Sequence, residues 1–153
     1  MHAKAENILA FWIDEVGPEG WYTGGDTLDA LCRDLFLEDW DKGRRGGYVQ
    51  WTITARGALA LLILLDQFPR NMFRGEARAF ASDARARATA KAAIARGFDL
   101  AIGIPARQFF YLPLMHSEVL ADQDRCVRLI VMRFAEAEQI RHARAHRDII
   151  RRF

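Results

Sequence analysis

Five polar residues stand within nine positions, Asp66, Gln67, Arg70, Asn71 and Arg74, at the end of an unbroken apolar run. Two guanidinium forks four residues apart share one face of a helix, and with an amide beside them they can grip a carboxylate or phosphate in bidentate fashion. The same residues have an architectural reading. If a core helix ends inside the protein, its last carbonyls lack partners and its dipole favours cations, so Arg70 and Arg74 can cap it while Asp66 pairs with one of them. Spacing alone leaves both readings open.

A second group, His116, Ser117, Glu118, Asp122 and Gln123, lies in YLPLMHSEVLADQD. His116 can serve as an acid or base, and with Glu118 and Asp66 it completes the candidates for a catalytic role. Ser117 followed by Glu118 is equally ordinary capping at a helix start. The third group is His142 and His146 in HARAHRDIIRRF, at the i,i+4 spacing that can present two imidazoles to one metal. The acid of H-E-x-x-H is missing and no third ligand can be assigned, so no metal is expected. His146 falls on the side of Ile149, Ile150 and Phe153, which reads as a core histidine bonded to a carboxylate. The chain has no Gly-rich phosphate loop, no G-x-S-x-G and no zinc-type cysteine spacing, and no cofactor is expected.

The elements that must position these residues are helical. Ile8, Leu9, Phe11, Trp12 and Val16 mark a first helix over residues 3–16, stopped by Gly17, Pro18 and Gly20. Asp26 or Thr27 is expected to cap a second, with Leu28, Leu31, Leu35, Phe36 and Trp40 on one face and Gly43 to Gly47 at its end. The run from Ala58 to Leu65 is Leu- and Ala-rich rather than β-branched, which predicts a helix buried on all sides. Pro69 disfavours helical geometry at Phe68, so this third helix is expected to finish near Gln67. An alanine-rich fourth spans 76–96, with Asp83 and Arg87 paired at i,i+4 and Gly97 at its end. Residues 98–116 read as irregular around a short turn at 106–110, Ser117 as the N-cap of a fifth helix, and a sixth runs from about 137. The fold class expected is all-α: about six helices in antiparallel pairs forming one domain over residues 1–153, with no internal repeat in the letters.

Bulk properties exclude several functions. With 22 basic and 20 acidic residues the net charge is +2, and the charges are interleaved, so nucleic acid is not an expected partner. No segment approaches the ~18 apolar residues of a membrane span. Cys32 and Cys126 have no C-x-x-C partner and read as small buried hydrophobes in a reducing compartment. Together with an N-terminus lacking the features of a secretory leader, this points to the cytoplasm.

LALLILLDQFPRNMFRGEARAFASD, then FFYLPLMHSEVLADQDR, HRDIIRRF and the opening ILAFWIDEV, resemble the bacterial family known as domain of unknown function 924. The resemblance implies a tetratricopeptide-like, right-handed array of helix pairs, with no established activity. It also implies shared polar positions at Asp66, Gln67, Arg70, Asn71, Arg74, His116, Ser117, Glu118, Asp122, Gln123, His146 and Arg147. Similar sequences usually continue past R-R-F, so a C-terminal segment found in them is expected to be missing here. Three functions fit these observations: a polar pocket for a small anionic molecule, a peptide- or protein-binding module of tetratricopeptide type, or a structural network without a ligand.

Overall fold

The structure is a computed structural model and describes residues 3–153. At its centre lies the apolar run. Thr54 caps α4 (Ala55–Leu62) by accepting a hydrogen bond from the Gly57 amide at 3.0 Å, and every residue from Gly57 to Asp66 is buried. The helix does not finish near Gln67. Ile63–Gln67 adopt π-helical geometry and α5 (Phe68–Met72) continues the same path through Pro69.

Three contacts explain why Pro69 fails to end it. The π turn gives Phe68 an acceptor five residues back, its amide bonding to the Ile63 carbonyl, while its own φ of −60° and ψ of −40° stay helical. Pro69 has no N–H for the Leu65 carbonyl, a loss that ordinarily breaks a helix. Ser82 makes it good: its hydroxyl donates to the Leu65 carbonyl at 2.6 Å and accepts from Trp40 Nε1 at 3.0 Å. Asp66 and Gln67 therefore sit in mid-helix, with Arg70 and Asn71 one turn further along the same rod.

The other expected helices are present with shifted ends. α1 (Ala3–Leu9) runs into a second π stretch, Ala10–Val16. Gly17, at φ +69°, bends the chain, and Pro18 does not stop it but opens a new helix, α2 (Gly17–Thr23), as the fixed φ of proline at a first helical turn allows. α3 (Asp26–Arg44) takes Gly25 as its N-cap rather than Asp26 or Thr27, with no side-chain cap bond. It runs antiparallel to the central helix: Asp29 meets Arg74, the Phe36 and Phe68 rings stack at 4.9 Å, and Gly43 lies against Leu64, where a Cβ would come within 3.1 Å of a methyl.

The expected fourth helix is interrupted at Ala81 and Ser82, leaving a 3-10 turn (Ala77–Phe80) and α6 (Asp83–Ala95). The break is where Ser82 turns inward to serve Leu65. Residues 98–116 hold two 3-10 turns, Phe98–Ala101 and Ala106–Phe110, and the short α7 (Leu112–Met115). α8 (Leu120–Arg133) and α9 (Ala137–Arg152) form an antiparallel hairpin in which Arg151 reaches back to Asp124 at 3.8 Å. Buried apolar side chains from Ala5 to Ala143 form one cluster. Among the described residues there is no strand, and no helix is long and apolar enough to cross a membrane.

Candidate functional site

The mid-helix carboxylate of Asp66 is only 2% exposed. Its Oδ1 lies 3.0 Å from His116 Nδ1 and 3.4 Å from Arg70 Nη1, while Oδ2 is buried without a hydrogen-bond partner among the described residues. An ionised carboxylate only accepts, so Nδ1 of His116 carries the hydrogen, and in the neutral imidazole Nε2 presents a lone pair. Arg70 is gripped on both prongs by Asp83, at 2.9 and 3.0 Å, and also donates to the Asp66 carbonyl at 2.8 Å. Burial opposes its charge, but the Asp83 hydrogen bonds and the Asp66 carboxylate outweigh burial and hold the guanidinium above its ordinary range. Asp83 thus pairs with Arg70 across the fold rather than with Arg87 along its own helix.

One turn further, a second aspartate organises the rest of the segment. Arg74 grips Asp29 through Nε at 2.7 Å and Nη2 at 3.1 Å, and Asn71 Nδ2 donates to the same carboxylate at 3.0 Å. The Arg74 hydrogen bonds hold the Asp29 carboxyl below its usual range against the effect of burial, with Asn71 assisting. Asn71 Oδ1 in turn accepts from Gln67 Nε2 at 2.9 Å. The two arginines that read as open forks in the sequence are therefore both occupied by carboxylates of the chain itself.

Gln67, Arg70, His116 and His146 border one cavity of about 590 Å3. α2 supplies Trp21 and Tyr22 to its wall, the 106–116 segment Gln108, Leu112 and Met115, and the final hairpin Phe134 and Gln139. Tyr22 donates its hydroxyl to Gln108 Oε1, and Gln108 Nε2 donates to the Pro105 carbonyl at 2.8 Å. His146 is exposed rather than in the core and does not find the carboxylate expected of it; its ring meets that of His116 edge-on at 6.4 Å. Partial desolvation, then the neighbouring His116 and His142, hold the His146 pKa below its usual value, so it is neutral at physiological pH. A second depression of about 490 Å3 shares Trp21, Tyr22, Gln67 and Arg70 and adds Asp29, Asn71 and Arg74 beside Gly24 and Gly25.

The remaining candidates are elsewhere. Ser117 is not the N-cap of α8, a place taken by Val119. Its hydroxyl instead donates to Asp122 at 2.7 Å and accepts the Val119 amide at 3.1 Å. Gln123 Nε2 donates to the carbonyls of Met115 at 2.7 Å and Ser117 at 2.6 Å, which closes the end of α7. Burial would raise the Asp122 carboxyl, but Lys91 at 2.8 Å and the Ser117 hydroxyl bring it below its ordinary value. These three residues fix the turn that carries His116 and line neither cavity; Glu118 is exposed and lines neither as well. His142 stands at the rim, 3.7 Å from Glu138.

Sequence reasoning missed Asp29 and Asp83, and with them Trp21, Tyr22, Gln108 and Gln139. One signal pointed toward the aspartates: between 66 and 74 two arginines face a single acid, which leaves one guanidinium to be answered by another element's carboxylate, by helix carbonyls or by a ligand.

The family described as "Bacterial protein of unknown function (DUF924)" matches residues 8–153. A solved structure, the protein of unknown function ATU0120 from Agrobacterium tumefaciens, superposes with a TM-score of 0.94 at 40% sequence identity, covering 99% of this chain and 84% of that one. No curated protein matches the chain. With a match over nearly all of its length and a relative at this identity, the chain belongs to the bacterial family of unknown function DUF924.

Proposed function

We propose that the protein binds a small molecule in the 590 Å3 cavity, with the Asp66–His116 pair as its functional centre. The observation that carries this reading is convergence: Gln67 and Arg70 from the central helix, His116 from the turn after α7 and His146 from α9 border one opening. Its volume falls within the roughly 300–1,000 Å3 of small-ligand clefts, which combine an apolar lining with a few convergent polar groups. The anionic ligand expected from the sequence has weaker support, because Arg70 and Arg74 already answer Asp83 and Asp29.

A melting-temperature screen tests the proposal, with one panel of phosphates and carboxylates and another of uncharged and cationic metabolites. A ligand at a hundredfold its dissociation constant stabilises by ~2.7 kcal/mol, which for a domain of this size is a shift of roughly 5–10 °C. The expected result is a shift with members of the second panel that Gln139→Trp, which fills the cavity from its half-buried wall, abolishes without lowering the unliganded melting temperature. Shifts that persist in Gln139→Trp would place binding elsewhere. A second reading, a protein-interaction module of tetratricopeptide type, draws support from exposed apolar side chains on the final hairpin, Met132 at 77% and Ile149 at 56%. Binding that survives Gln139→Trp but fails in Met132→Glu would favour it.

A further inference from the structure

The cavity wall is wired by two buried carboxylates that do not themselves line it. Asp66 accepts from His116 Nδ1, which leaves Nε2 as the nitrogen His116 can offer the cavity, a hydrogen-bond acceptor in the neutral imidazole. Asp29 acts through a relay. A carboxylate accepts only, so the group that Asn71 gives Asp29 must be its Nδ2; Asn71 Oδ1 is then an acceptor, and the group that Gln67 gives Asn71 must be its Nε2. Among the described residues Gln67 Oε1 has no partner, so Gln67 too offers the cavity an acceptor. Gln139 repeats the pattern: its Nε2 reaches Gln108 Oε1 at 3.5 Å, and among the described residues no donor engages its own oxygen.

Donors are spent in the opposite direction. The Tyr22 hydroxyl goes to Gln108, the Gln108 amide nitrogen to Pro105, and Arg70 to Asp66 and Asp83. Arg70 is the one Arg or Lys among the lining residues described, and two carboxylates balance it, while the rim adds Glu136 and Glu138. The neutral state of His146 adds no positive charge. Three acceptors, few free donors and an acidic rim surround an apolar floor of Trp21, Leu112, Met115 and Phe134.

We infer that this site selects a largely apolar molecule bearing N–H donors, an amidine, amine or amino-substituted ring, neutral or cationic, and rejects anions of the same size. The inference rests on the small-molecule reading above and names its ligand class. An acceptor buried against a group that cannot donate costs the bound state an unmade hydrogen bond, and repulsion between like charges adds to it.

The probes are benzamidine, benzamide and benzoate, three planar molecules of nearly equal size that differ in donors and charge, read by 15N chemical-shift changes on the full chain. The expected result is that benzamidine and benzamide shift residues lining the cavity and bind at least about tenfold more tightly than benzoate. Gln67→Leu, at a half-buried position whose loss leaves the core intact, is expected to weaken benzamidine by about tenfold and to narrow the gap to benzoate. His116→Phe is the second variant and is expected to act in the same direction. Benzoate binding as tightly as benzamidine, or both variants binding benzamidine as wild type does, would overturn the inference and leave a cavity that still takes small molecules. If none of the three probes, nor any fragment of either charge, shifts cavity residues, the small-molecule reading falls with it.

Discussion

Two buried aspartates show what separates architecture from a site in this fold. Asp99 is fully buried and fully answered: Tyr111 donates to Oδ2 at 2.7 Å, and Arg133 Nη1 reaches Oδ1 and Oδ2 at 3.1 and 3.0 Å. It borders neither of the two cavities described above. Asp66 is almost as deep, yet among the described residues Oδ2 has no partner, its contact with Arg70 is long, and the histidine that meets its other oxygen opens onto a cavity. A buried carboxylate with both oxygens engaged ties segments together. One left partly unsatisfied beside a hollow is a poor staple, and its charge is available to set the state of a neighbour.

The comparison can be broken at both ends. The largest effect is expected from Asp99→Ala, which leaves Arg133 and Tyr111 without their partner and should cost about 3–5 kcal/mol in a chemical-denaturation experiment, with ligand binding unchanged in whatever fraction remains folded. Asp66→Asn should cost less, about 1–3 kcal/mol, since only Oδ1 is well used and Arg70 retains Asp83. It should nonetheless change cavity binding, because an amide can donate to Nδ1 and so force the hydrogen onto Nε2. Equal stability losses in the two variants, with binding untouched in both, would erase the distinction.

The smallest effect concerns His146. Its pKa is depressed in the folded state, so the unfolded chain takes up this proton more readily than the folded one. The favourable contribution is complete above the ordinary histidine value of about 6.5 and is lost as pH falls through the lower folded value. Removing the titrating group with His146→Phe should therefore flatten the loss of stability below about pH 6.5, measured as the difference between denaturation midpoints of the two proteins across that range.

How much of this was legible beforehand divides along the range of the interactions. The helices were legible, because the 3.6-residue period and the Leu- and Ala-rich composition act within a turn or two. So was the list of polar residues, and four of them, Gln67, Arg70, His116 and His146, do meet at one cavity. The helix through Pro69 was not legible: the hydroxyl that rescues it is 17 residues away, and the indole bonded to that hydroxyl lies 42 residues from it. The sense of the arginines was hidden for the same reason, since Asp29 and Asp83 belong to other helices and are ordinary surface letters until the fold brings them in. Gln108 and Gln139 carried no signal, as an isolated glutamine has no spacing to betray it.

The π turn at Ile63–Gln67 has a mechanical consequence. It amounts to one residue inserted into an α-helix, and each residue advances the helix by roughly 100°. Deleting one leucine there would leave composition and oiliness almost unchanged and restore a regular rod, but everything downstream would swing by more than a quarter revolution. Arg70 and Gln67 would then aim past the hollow, so this short overwide coil acts as the angular register by which an otherwise greasy axle points its polar teeth.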